Sequence, residues 1–352
     1  ETEAQVVDVM AICREHGVPV IPRGAGTGLS GGARPHKDGV VLGLSKMNKI
    51  LSIDPENRVA QVQPGVRNLA ISNAAKPHGL YYAPDPSSQI ACSIGGNVAE
   101  NAGGVHCLKY GLTVHNVLGV RVLTSDGDVM EIGGALYDNP GLDMLALLCG
   151  SEGMLGIVTQ VTVALLPEPE KKSVILAGFK QVTDAGNAVA SIIGAGIIPA
   201  GMEMMDKLAV QAAEQFAHAG YPLDAAAILI IELDGAEAEL SAVTAQVIDH
   251  LNASGAYQID QADDAETQAR LWKGSKSAFP AVGRLSPDYY CMDGTIPRHQ
   301  LAHVLTQIDE LSQRFGLAVA NVFHAADGNL HPLILFDANV PGQTDHAMAM
   351  GG

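Results

Sequence analysis

Residues 22–32, PRGAGTGLSGG, constrain the fold more than any other stretch of the chain. Gly26, Gly28 and Gly31 satisfy the G-x-G-x-x-G spacing of nicotinamide-dinucleotide folds, in which the last glycine opens a helix whose N-terminus binds a pyrophosphate. The residues that follow deny that helix. Pro35 and Gly39 oppose it, and the run Val40–Leu44 (VVLGL) reads as a strand. Asp54 stands near the distance expected of a ribose-binding acid, but two strands precede it with no helix between. A Walker A loop is excluded because no Gly-Lys-Ser/Thr follows. The chemistry of the loop survives these exclusions. Gly24, Gly26, Gly28, Gly31 and Gly32 allow positive φ and bring backbone N–H groups together as an anion nest. Thr27 and Ser30 add hydroxyls, and Arg23 adds a positive charge.

Two further glycine clusters follow. One runs SIGGNVAENAGG from Ser93 to Gly104, and the other GSEGMLG from Gly150 to Gly156. Three such loops in one domain suggest an extended ligand threaded between them, and a dinucleotide suits this better than a lone phosphate. Composition narrows the partners. A formal net charge of −17 argues against nucleic acid and anionic membrane surfaces. No run approaches the ~20 apolar residues of a membrane helix. The five cysteines are scattered, with no C-x-x-C, which excludes an iron–sulfur or zinc-ribbon spacing and suggests a reducing compartment.

The length of 352 residues suits two domains, with a boundary near Pro167–Glu170, giving residues 1–168 and 169–352. The first part predicts an opening helix, short strands, a helix over 66–76, an irregular stretch over 81–104, and a type I′ hairpin at Asp126-Gly127. The second predicts strands alternating with helices over 184–193, 206–218, 237–252, 264–279 and 298–315. That pattern points to an α+β layer with helices on one face of a mostly antiparallel sheet. The chain has no initiator Met and starts and stops within helical patterns, so it reads as an internal piece of a longer protein, truncated at both ends.

The elements PRGAGTGLSGG, APDPSS (83–88), SIGGNVAENAGG, KYG (109–111) and GSEGMLGIVT (150–159) occur in the order seen in the FAD-binding domain of the vanillyl-alcohol oxidase/p-cresol methylhydroxylase superfamily. The resemblance covers nearly the whole chain and is strongest to its glycolate oxidase large-subunit, D-lactate and D-2-hydroxyglutarate dehydrogenase-like family. It implies a PCMH-type FAD-binding domain followed by an α+β, ferredoxin-like FAD-linked oxidase C-terminal domain, here incomplete. Carried over by position, Arg23, Gly24, Ala25, Gly26, Thr27, Gly28, Leu29 and Ser30 would hold the FAD pyrophosphate. Pro84, Asp85, Ser88, Ile94, Gly95, Gly96, Asn97, Asn101, Gly104 and Tyr110 would line the pyrophosphate and isoalloxazine region. Glu152, Gly153, Ile157 and Val158 would lie near ribose and adenine. The first loop holds no His or Tyr, so the FAD is expected to be non-covalent, while His106 and Cys107 near the second cluster leave covalent attachment as the alternative.

In the second part, His324-Ala-Ala-Asp-Gly-Asn-Leu-His331 follows an apolar strand, with Asp327-Gly328 as a tight turn. Two imidazoles across a bend are good ligands for zinc or a similar divalent ion; two histidines that merely stabilise a turn are the alternative. The stretch resembles the family's H-x-G-D-G-N-x-H motif, with Ala326 in place of a glycine, which implies metal ligation by His324 and His331 and places Asn329 beside flavin and substrate. The family's third ligand, a glutamate of a Glu-His-Gly motif, would be expected beyond residue 352. Its substrate-carboxylate arginine is replaced by Ser275, leaving Lys276 or Arg284 to supply the charge. The pair His299/His303 reads as a solvated helix face and Met204-Met205 as packing.

The resemblance implies an FAD-dependent 2-hydroxy-acid dehydrogenase that passes hydride from substrate Cα to flavin N5. An iron–sulfur subunit and a second FAD-binding subunit would take the electrons, in the cytoplasm, with membrane association only through those partners. A non-catalytic FAD-binding assembly subunit is the alternative.

Overall fold

The computed structural model describes residues 1–136 and 140–352. The chain divides into two compact units, Glu1–Glu168 and Pro169–Gly352. Among the described residues no helix is long and apolar enough to cross a membrane.

The first unit opens with the helix Glu3–Glu15. Thr2 Oγ1 accepts from Gln5 N–H (3.3 Å) and Thr2 N–H donates to Gln5 Oε1 (3.1 Å), a reciprocal cap that satisfies two orphan donors. Nine strands follow: β1 (Val20–Arg23), β2 (Val40–Gly43), β3 (Ile50–Asp54), β4 (Val59–Val62), β5 (Leu80–Tyr81), β6 (Val117–Leu123), β7 (Val129–Gly133), β8 (Ile157–Ala164) and β9 (Leu166–Pro167). β1 and β2 pair in parallel, Val20 opposite Val40. Parallel neighbours need a long crossover, and the glycine loop supplies it with no helix over residues 24–39. The main sheet runs β3-β4-β8-β6-β7, every pair antiparallel. Val62 of β4 and Val161 and Val163 of β8 are fully buried in one core with Ile71, Ile94 and Val98.

Two local expectations differ from what forms. The β6–β7 hairpin turns on a Gly127 N–H to Thr124 O bond (3.1 Å), with Gly127 at φ +94° and Asp126 outside the positive-φ region. A type I′ turn needs positive φ at both central residues, so the longer β6–β7 connection takes another turn with a left-handed glycine after it. The stretch read as irregular contains the helix Ile94–Glu100. Gly95 and Gly96 are poor helix formers, but Ile94 and Val98 are fully buried, and that packing offsets the propensity.

The second unit adds β10 (Lys171–Phe179), β11 (Gly201–Asp206), β12 (Ala227–Gly235), β13 (Ala256–Ala262), β14 (Asp288–Cys291), β15 (Gly294–Thr295), β16 (Val319–His324) and β17 (Asn329–Phe336). The sheet order is β13-β10-β12-β11-β16-β17-β14, with β15 on β17, and all pairs are antiparallel. Helices Val182–Gly194, Lys207–Ala217, Glu237–Ala253, Ala265–Lys276 and Leu301–Phe315 cover the apolar strands. The single helix expected over 264–279 breaks at Ser277 and resumes as Ala278–Val282. Met204 and Met205 are fully buried in β11.

Candidate functional site

The short helix Ile94–Glu100 gathers the three glycine loops of the first unit. A Cβ on Gly24 would stand 2.3 Å from Ser93 Oγ and 3.6 Å from the Gly96 backbone, so the first loop leaves β1 in direct contact with the start of this helix. At its other end Ser30 Oγ donates to Glu100 Oε2 (2.9 Å). The third loop is stitched to the same helix by its backbone: Gly150 N–H donates to Val98 O (2.9 Å) and Glu152 N–H to Ala99 O (2.8 Å). Glu152 takes φ +53° to do so, a conformation uncommon outside glycine.

Between the loops lies a cleft of 1110 Å³, open mouth included. Arg23 to Gly28, Ser88, Gly95, Gly96, Asn97, Glu152, Gly153, Ile157 and Val158 line it. The remaining cofactor candidates do not. Leu29 is 77% exposed, and Ser30 directs its hydroxyl to Glu100. Ile94 is core, and Asn101 ends the helix at φ +49° while its Oδ1 accepts from Val114 N–H (3.0 Å). Gly104 packs on the Asp85 carbonyl, and Tyr110 meets Tyr81 edge-on with centroids 6.3 Å apart. Pro84 O accepts from Asn68 Nδ2 (3.0 Å), and Asp85 Oδ2 faces His106 Nδ1 at 3.0 Å, so these two residues brace the wall rather than form it. Sequence reasoning missed Pro64, Cys92, Ser93 and Glu100 as lining residues. Ser93, at the head of a glycine cluster already singled out, was the one with a legible signal.

Three observations fit this cleft to FAD. Ser93 Oγ is buried and has no hydrogen-bond partner, which leaves a donor for a ligand oxygen. Gly95 admits no side chain, since a Cβ there would lie 2.6 Å from Pro64 Cβ, and this keeps bare backbone at the cleft wall. The Arg23 guanidinium stands 2.5 Å from where a Gly26 Cβ would be, against the loop, and supplies positive charge.

The second unit carries a separate buried polar cluster. Register places Glu203 of β11 opposite His324 of β16, and His324 opposite Asn329 of β17. Directly paired residues share a face, as do residues two apart on a strand, so Glu203, His324, Asn329 and His331 all project to one side. Glu203, only 4% exposed, bonds His324 Nδ1 and accepts from Ser275 Oγ (3.1 Å). The His324 and His331 rings meet edge-on with centroids 5.3 Å apart. Burial and the neighbouring His324 hold His331 below the usual imidazole range, although Asp293 Oδ1 stands 3.5 Å from its Nδ1. Burial likewise holds the Asp327 carboxyl above the carboxylate range. Asn329 Oδ1 is buried without a partner.

Lys276 lies on the exposed side of its helix while Ser275 points inward, and the Arg284 guanidinium stacks 4.4 Å from the Phe216 ring. Among the described residues no group of three or more His, Cys, Asp or Glu is arranged to hold a metal ion. Glu203 went unnoticed in the sequence because it stands in an apolar strand, 121 residues from its imidazole partner.

Residues 1–133 match the family model described as "FAD binding domain", and residues 168–352 match "FAD linked oxidases, C-terminal domain". Glycolate oxidase subunit GlcD of Escherichia coli is 60% identical over 99% of this chain and 70% of its own length. The protein of that name from Bacillus subtilis is 39% identical over 95% of this chain and 71% of its own. D-lactate dehydrogenase of Archaeoglobus fulgidus is 33% identical over 94% and 73%. Among solved structures, alkyldihydroxyacetonephosphate synthase superposes with a TM-score of 0.78 at 18% identity, covering 99% of this chain and 72% of that one. p-Cresol methylhydroxylase follows at 0.77 and 19%, covering 98% and 76%; at such identities the likeness concerns the fold. The chain belongs to the FAD-linked oxidase family, in which a PCMH-type FAD-binding domain precedes a FAD-linked oxidase C-terminal domain, and it is an FAD-dependent oxidoreductase.

Proposed function

We propose that this protein oxidises a small 2-hydroxy acid of the glycolate or D-lactate type and passes the electrons to a separate acceptor. The observation that carries the reading is the buried His324–His331 pair with its Glu203 brace, in a chain related both to a glycolate oxidase subunit and to D-lactate dehydrogenases. Bound FAD supplies a two-electron acceptor for hydride at flavin N5. In the first unit Arg23 to Gly28 offer it backbone N–H groups and a guanidinium, while Ser93, Gly95, Gly96 and Asn97 supply the opposing wall. In the second unit, the carboxylate of Glu203 holds the His324 imidazole by Nδ1, which leaves Nε2 to take up a substrate hydroxyl proton. His331, kept neutral by burial, avoids placing a second cation beside it. Asn329 Oδ1, without a protein partner, is available to a substrate hydroxyl.

The cysteines, all free among the described residues, support a reducing, cytoplasmic setting. An iron–sulfur subunit and a second FAD-binding subunit are the proposed electron acceptors, supported by the word "subunit" in the names of the glycolate oxidase relatives. The test is anaerobic flavin bleaching in the purified protein. Glycolate or D-lactate should bleach the absorbance of the flavin. A flavin that no 2-hydroxy acid reduces refutes the proposal.

A further inference from the structure

The first glycine loop poses a physical problem. Residues 25–32 are exposed, and the segment 24–32, with five glycines, pays heavily in conformational entropy to stay in one shape. Its far end is tied by the Ser30 Oγ to Glu100 Oε2 hydrogen bond (2.9 Å). Glu100 is the last residue of the helix that also anchors the third loop, through Val98 O and Ala99 O. The carboxylate lies against the loop backbone as well: a Cβ on Gly28 would be 3.1 Å from Glu100 Oε1.

We infer that Ser30 and Glu100 form a clasp that holds the first glycine loop over the cleft and thereby sets the affinity for FAD. This rests on the assignment of the cleft to FAD. Ser30 and Glu100 are positioning residues in this account. They act through the loop, by reducing the order that the cofactor must otherwise impose when it binds. A carboxylate beside a diphosphate has an opposing effect, since like charges repel, and the two roles predict opposite signs. Removing a clasp weakens binding. Removing a repelling charge strengthens it.

The experiment is FAD titration of flavin-stripped protein, followed by flavin fluorescence, for wild type, Ser30→Ala, Glu100→Ala, Glu100→Gln and the Ser30→Ala/Glu100→Ala double variant. The clasp predicts that each alanine variant raises the Kd for FAD about five- to tenfold, the scale of one lost hydrogen bond. The double variant should be no weaker than either single, because both remove the same contact. Glu100→Gln keeps an acceptor for the Ser30 hydroxyl and should stay within about twofold of wild type. Kd values unchanged in both alanine variants overturn the clasp, as does tighter binding by both Glu100 variants, and so does a double variant weaker than either single. A wild-type apoprotein that takes up no FAD overturns the cofactor assignment and the clasp with it.

Discussion

Glu203→Ala would remove the carboxylate that two buried groups share: the Ser275 hydroxyl, which donates to it at 3.1 Å, and His324 Nδ1, which it bonds. Ser275 is 7% exposed and the His324 side chain 17%, so water replaces the lost bonds poorly. An unmade hydrogen bond on a buried polar group costs about 1–3 kcal/mol. Two of them, the imidazole being the more accessible, give about 2–4 kcal/mol. For a unit of this size each kcal/mol lowers Tm by about 2–4 °C, so the variant should melt about 5–15 °C lower in differential scanning calorimetry. Glu203→Gln separates the bond from the charge. The amide oxygen still accepts from His324 Nδ1–H and the amide nitrogen can donate to a rotated Ser275 hydroxyl, so the loss should be about 1 kcal/mol. The same pair of variants reports on chemistry. Freed from its brace, the His324 ring rotates away from its reactive orientation, and stopped-flow flavin reduction at saturating glycolate should slow by more than about tenfold in the alanine variant. Glutamine should recover most of that rate. An alanine variant that melts with wild type, or a glutamine variant as impaired as alanine, refutes the reasoning.

Two further outcomes follow from single residues. Burial pushes the Asp206 carboxyl up to about 6 from its ordinary 3.8, while the N–H groups of Ala209 and Asn321 partly oppose the shift. The folded state therefore holds a proton that the unfolded chain releases between those values, and this carboxyl costs stability as pH rises from about 4 to 6, by about 3 kcal/mol in all. Asp206→Asn should abolish that contribution, so its melting temperature relative to wild type should be higher at pH 7 than at pH 4.5; a difference independent of pH contradicts the assignment. Gly95→Ala drives a methyl to 2.6 Å from Pro64 Cβ and 3.1 Å from Pro64 O. It should cost about 1–3 kcal/mol of stability and lower the flavin content of purified protein, read from the visible absorbance; full flavin content would show that the wall yields.

What the sequence determined by itself is local. Pro35 and Gly39 oppose a helix after the first loop by local means, Pro35 through its fixed φ and missing N–H and Gly39 through its backbone entropy. The opening helix, most of the long helices of the second unit and the three glycine loops were legible for the same reason. The tertiary structure decided the rest. The helix Ile94–Glu100 exists because Ile94 and Val98 find a core, against the propensity of Gly95 and Gly96. Ser30 was legible as a loop hydroxyl, yet its partner Glu100 stands 70 residues away. Glu203 looks like a stray acid in an apolar strand until the β11–β16 register sets it opposite His324. Strand register is a pairing between distant segments, fixed by the packing of whole faces, and a slip of one residue would turn every one of these side chains to the other side of the sheet.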